Sequence, residues 1–170
     1  MNLPTVSVST VIDTYYTLLE LGIDQCFLEQ QSGISITHLE NPDGRICISK
    51  LNTLWDIAQA YSKNPAIGLI VGEKVDPNRF SVVTQASFQC KTILQGLQQY
   101  VRFFSIVNQA ASLTLREKGN LATLEFRFES PEFYSISEME RMTSSALARS
   151  QYLLKKRITP KYITFQHPEP

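Results

Sequence analysis

The chain has no surplus of charge: across 170 residues, 16 lysines and arginines meet 16 aspartates and glutamates, for a formal net charge of zero. Duplex-binding modules draw much of their affinity from neutralising phosphates and carry excess positive charge, so this stretch is not expected to hold DNA. Its basic cluster, Lys155-Lys156-Arg157, closes a predicted helix, where cations complement the negative end of the helix dipole. Histidine is scarce too. His38 and His167 are the only two, and neither has a His, Cys or carboxylate at a metal-binding spacing. No nucleophile motif of the G-x-S-x-G kind accompanies them, so the expectation is a non-enzyme without metal or cofactor. Among 7 glycines there is no phosphate loop. Gly68-x-x-x-Gly72 lacks the Gly-Lys-Ser/Thr ending and reads as close helix packing. Cys26, Cys47 and Cys90 are isolated and odd in number, which points to reduced thiols rather than a disulfide frame. Met1-Asn2-Leu3-Pro4 lacks the charged and apolar regions of a signal peptide. No apolar run approaches the ~18 residues that span a bilayer. A soluble cytoplasmic protein without a membrane partner is expected.

What is present is an ordinary globular composition, 43% hydrophobic and 19% charged, long enough for one domain over residues 1–170 with a substantial core. Residues 1–9 read as an extended lead-in. Thr10 and Asp13 resemble a capping box opening a helix on Val11, Ile12, Tyr15, Leu18 and Leu19, stopped by Gly22. Asp24 caps a shorter helix ended by Ser32-Gly33, and Asn41-Pro42-Asp43-Gly44 is turn chemistry. Ser49 opens a helix with Leu51, Leu54, Trp55, Ala58 and Tyr61 facing the core, and Asn64-Pro65 opens another. Residues 81–89 fit neither period. Thr92 precedes a long helix with Ile93, Leu94, Leu97, Tyr100, Val101 and Phe104 on one face. Alternation at Leu113 and Leu115, then at Leu124, Phe126 and Phe128, across Lys118-Gly119-Asn120, predicts a hairpin with one oily face. Ser137 and Glu140 repeat the capping-box pattern before a helix with Met139, Met142, Ala146 and Leu153 inward. Residues 162–166, after Thr159-Pro160, read as a last strand. The predicted class is α+β: a helical N-terminal part, then a small antiparallel sheet in β-β-α-β order.

Aromatic residues concentrate on the helical part. Each alone fills a core, but together they can line an apolar pocket with polar tips. Tyr15, Trp55, Tyr100 and Phe104 are the ligand-contact candidates. Arg102 and Arg116 are read as surface ion-pair partners, with contact to an anionic ligand as the alternative.

Leu54-Trp55, Asn64-Pro65-Ala66-Ile67-Gly68-Leu69 and the Thr92-led helix carrying Tyr100 follow one another in an order that resembles the N-terminal, arabinose-binding-type half of AraC-family transcription regulators. The resemblance covers most of the chain and is strongest over residues 54–104. It departs at residues 80–89, where relatives show a glycine-rich stretch. It implies a bacterial effector-sensing domain that binds a small molecule and controls a helix-turn-helix DNA-binding domain lying outside this chain, with homodimerisation as a further possibility. The alternative is a dimerisation or protein-interaction module that binds no small molecule. An enzyme would need His38 or His167 beside a nucleophile or carboxylate in a cleft.

Overall fold

The computed structural model describes residues 3–74 and 76–168. The parts of the expected lead-in and of the expected 1–170 unit that fall on residues 1–2, 75 and 169–170 lie outside the described residues. Strand β1 (Thr5–Ser7) pairs antiparallel with β2 (Arg45–Cys47), Val6 opposite Ile46. This small sheet was not expected, and it moves the start of the first helix. Ser7 is held extended by the pairing, and its hydroxyl accepts from the Ser9 N–H at 3.3 Å, so α1 (Val8–Glu20) begins at Val8. Thr10 and Asp13 therefore lie inside the helix, both buried, and are not a cap.

Helices α2 (Gln25–Ser32), α3 (Ile36–Leu39), α4 (Ile48–Ser62) and α5 (Ile67–Glu73) complete the N-terminal part. Asp24 caps α2 through the Phe27 N–H at 2.9 Å, and Gly33 ends it at φ 65°. These ends follow the sequence reading because cap and stop residues act locally. Tyr15 and Leu18 of α1, Leu28, Ile34, and Leu51, Leu54, Trp55 and Ala58 of α4 form one buried cluster. Tyr61, expected on that stripe, is exposed in the last turn of α4, past the end of the core. α4 starts one residue before Ser49. Asn64 organises a turn ahead of α5 by accepting from the Ala66 and Ile67 N–H groups, so Pro65 sits in that turn rather than in the first helical position.

After a 3₁₀ turn at Pro77–Arg79, the ambiguous 81–89 segment is helical: α6 (Val82–Phe88), capped by Ser81 through the Thr84 N–H. Thr92 caps α7 (Ile93–Arg102), and α8 (Phe104–Val107) follows. The expected hairpin forms, β3 (Ala111–Lys118) against β4 (Leu121–Phe128), and its register sets Leu113 opposite Phe126 and Leu115 opposite Leu124. Gly119, at φ 62°, begins its two-residue loop.

The last helix, α9 (Ile136–Leu154), is capped by Ser135, not Ser137. Ser137 and Glu140 are buried inside it, Ser137 where α9 presses against α5 and Glu140 beside His167 of the tail. The two helices approach so closely that a Cβ on Gly68 would stand 2.2 Å from the Ser137 carbonyl oxygen, and one on Gly72 2.6 Å from that of Arg141. This is the packing expected of the Gly68-x-x-x-Gly72 spacing. Leu153, expected inward, is exposed.

Residues 162–166 form no strand among the described residues, which corrects the β-β-α-β order. The tail runs back along α9, and the contacts that hold it are made by side chains: Gln151 donates to the Ile158 carbonyl, and the Tyr134 hydroxyl meets His167 Nδ1 at 2.7 Å. The class is α+β, with two two-stranded antiparallel sheets. Among the described residues no helix is long and apolar enough to cross a membrane.

Candidate functional site

Helix α7 carries a strongly one-sided apolar stripe, yet none of its residues is buried; Ile93 is 57% exposed. A stripe of this kind ordinarily faces a core. Here it faces a cleft of about 950 Å³ bounded by α7, α9, the β3–β4 hairpin and the tail. Leu97, Tyr100 and Phe104 form one wall, Leu113, Leu124 and Phe126 another, with Met142 beneath. Phe104 stands edge-on to Phe126 at 6.0 Å and tilted against Tyr100 at 5.9 Å. Residues 160–166 close the remaining side.

The floor is polar because α9 turns charged residues inward. Glu138, 0% exposed, accepts from Trp55 Nε1 at 3.0 Å, Arg141 Nε at 2.8 Å and Arg141 Nη2 at 2.7 Å. Burial disfavours the Arg141 cation, but the attraction of Glu138 and its hydrogen bonds outweigh that cost and raise the pKa above the ordinary arginine value. Two turns later, Arg149 donates through Nη2 to Asp13 Oδ2 at 3.2 Å and stacks over Phe80. Asp13 is shared with Arg79 at 3.5 Å. Arg149 Nε is buried with no partner. Burial, and then the like charge of Arg141, lower the Arg149 pKa. Burial likewise pushes the Tyr100 hydroxyl up, against the pull of both arginines.

A second polar cluster fastens the tail. His167 Nε2 lies 3.5 Å from Glu140 Oε1, and the Phe165 ring stacks on the imidazole. Burial raises the pKa of Glu140, partly offset by His167, and that of Tyr134. The carboxylate partner of His167 is thus present in space although absent from its sequence neighbourhood. His38 caps α3 by accepting from the Ser35 N–H at 3.0 Å. Among the described residues no group of three or more His, Cys, Asp or Glu is placed to hold a metal ion, and the three cysteines are free.

Of the four candidate contact residues, the structure brings Tyr100 and Phe104 together on the cleft wall. Tyr15 and Trp55 lie in the N-terminal core, where Trp55 reaches the floor only through Glu138. Arg116 pairs with Glu125 on the surface at 3.2 Å, and Arg102 lies over Phe103. The reading of the sequence passed over Arg141 and Arg149. Their signal was weak: two arginines eight apart on a helix look like a solvated face until α9 is packed.

The sequence pattern of a family described as the arabinose-binding domain of AraC transcription regulator, N-terminal, matches residues 22–170. An ornithine utilization regulator of Pseudomonas aeruginosa is 23% identical over 96 residues, which is 56% of this chain and 28% of that relative. The matched stretch therefore spans less than a third of the relative's length.

Proposed function

Because the chain belongs to the family of arabinose-binding N-terminal domains of AraC transcription regulators, we propose that it senses a small-molecule effector in the α7–α9 cleft and controls a DNA-binding domain elsewhere in a cytoplasmic regulator. The observation that carries this reading is the cleft itself. At about 950 Å³ it lies near the top of the ~300–1,000 Å³ range of small-molecule sites, and an amphipathic helix lines it without being covered. Tyr100 and Phe104 are the two aromatic contacts proposed for the effector.

The tail supplies a route for control. Residues 160–166 form one side of the cleft and are held by side-chain contacts. An occupant changes what the tail packs against, and it shifts an equilibrium to the extent that it binds the two tail arrangements with different affinity.

Thermal denaturation across a metabolite panel of amino acids, pentoses, aromatic acids and aliphatic acids tests the reading. At least one compound raises the midpoint, and Leu97→Trp, which narrows the cleft beside Tyr100 and Phe104, abolishes the rise. A flat response across the whole panel counts against it, as does a shift that survives Leu97→Trp.

A further inference from the structure

The cleft is far from neutral in a chain whose net charge is zero. Among the described residues five cations line it, Lys91, Arg127, Arg141, Arg149 and Lys161, against one carboxylate, that of Glu125. Glu125 is itself engaged by Arg116 at 3.2 Å and Arg127 at 3.0 Å. On the floor, the compensating acids Glu138 and Asp13 are buried and do not line the cleft; Arg141 and Arg149, which pair with them, do. Arg141 and Arg149 thus belong to the lining, while the carboxylates that pair with them lie behind it.

Both floor arginines have donors to spare. Arg141 commits Nε and Nη2 to Glu138, and its Nη1 has no hydrogen-bond partner among the described residues. Arg149 is 14% exposed along its side chain and commits Nη2 to Asp13, while its buried Nε has no partner. An unpartnered buried donor costs the desolvation of that group, which an incoming acceptor recovers. The two guanidiniums also repel each other: burial first, and then the charge of Arg141, lowers the Arg149 pKa, so an anion between them relieves both burdens. The lining also carries a run of hydrocarbon, with Leu97, Phe104, Leu124, Phe126 and Met142 among it, beside hydroxyls such as those of Thr84, Thr123 and Ser145.

Building on the effector-sensing reading above, we propose that the cleft takes an amphipathic monocarboxylate, its carboxylate held by Arg141 and Arg149 and its apolar body lying along α7 and the β3–β4 hairpin. A single negative charge suits the floor, because Glu138 and Asp13 already neutralise much of the arginine charge and a dianion would meet them directly behind.

The chain carries its own reporter. Its only tryptophan, Trp55, donates to the Glu138 oxygen that Arg141 Nε also grips, so engaging Arg141 perturbs the indole. Dodecanoate and 1-dodecanol titrated against the 170-residue chain, read by Trp55 fluorescence and by thermal midpoint, separate head-group from tail recognition. Dodecanoate is expected to bind about tenfold tighter than the alcohol, or better, the worth of a charge-assisted hydrogen bond. Arg149→Gln is expected to bring the two affinities within about twofold by weakening dodecanoate alone, and Arg149→Lys to retain part of the preference. Equal affinity for alcohol and acid in the unmodified chain overturns the proposal, as does a preference for dodecylamine or a ratio unchanged by Arg149→Gln. The comparison in the unmodified chain decides the matter even where the variant does not fold. If the alcohol binds in the cleft and Leu97→Trp removes it, but no acid preference exists, effector sensing stands and the monocarboxylate falls. If dodecanoate and the metabolite panel are all inert, both fall.

Discussion

Glu140 shows what a buried carboxyl costs at this fold's centre. It is 1% exposed, with one oxygen 3.5 Å from His167 Nε2 and the other without a partner. The titratable groups facing it are His167 and, through His167, Tyr134. Burial lifts its pKa above the ordinary 4.5, so the folded state favours the protonated form. The stability this confers is fully present below 4.5 and is lost as pH rises through the lifted value. Glu140→Gln is therefore expected to unfold at higher temperature than the parent at pH 8, with the gain disappearing toward pH 4; calorimetry at the two pH values checks it. Tyr15 is a second such residue. Its hydroxyl is buried without a partner, and burial, with Glu29 next, pushes its pKa up to about 12. Tyr15→Phe removes an unpaired polar group while keeping the ring, and is expected to stabilise by about 1 kcal/mol in urea melts. A loss of similar size would mean that the hydroxyl is satisfied in solution.

At the scale of elements, the contact between α5 and α9 organises the site. The absence of side chains at Gly68 and Gly72 lets α9 sink until its Ser137–Arg141 turn touches the α5 backbone. Glu138 is thereby carried under Trp55, and Arg141 onto the cleft floor. Gly68→Ala places a methyl group against a backbone oxygen that cannot swing aside, so about 3 kcal/mol of destabilisation is expected. Gly119→Ala is the control: its Cβ meets nothing within 4 Å, and only the positive φ of 62° is strained, for a cost of about 1 kcal/mol. Equal costs in denaturant melts would show that α9 can lift from α5 freely. The Gly68-x-x-x-Gly72 spacing was readable as helix packing, but its partner helix was not. The start of α9 was misread for a related reason. Ser137 and Glu140 form a capping pattern by spacing, and only the burial of that turn against α5 shows them to be interior residues capped by Ser135.

For the whole molecule, charge is distributed in a way that a net value hides. Cations collect around the cleft, and a further basic run, Lys155-Lys156-Arg157, lies at the end of α9. That cluster is too small to neutralise more than a few phosphates, whose number sets nonspecific affinity. The 170-residue chain alone is expected to give no sequence-specific retardation of duplex DNA in gel-shift measurements at low salt. Specific retardation would place DNA recognition inside this domain rather than beside it. The exposed apolar side chains are the other global feature. Ile93, Leu153, Tyr162, Ile163 and Phe165 border the cleft, whereas Val82, Tyr61 and Phe27 stand apart from it.

The sequence by itself determined the features that depend on near neighbours in the chain. Asp24 and Thr92 cap helices, Gly33 stops one, and the alternation of Leu113 with Leu115 and of Leu124 with Phe126 sets the register of the hairpin. Each follows from backbone geometry and periodicity acting over a few residues. It also carried the order of helices and turns through which the family is recognised. Tertiary structure alone decided the β1–β2 pairing across some 40 residues, the burial of Glu138, Glu140 and Arg141, and the fate of residues 162–166. That last segment has the composition of a strand but settles along α9 beside the cleft, held by side chains with no strand to pair. The cleft belongs to the same group: α7 reads as a core helix from its own pattern, and only the positions of α9 and the hairpin leave its oily face uncovered.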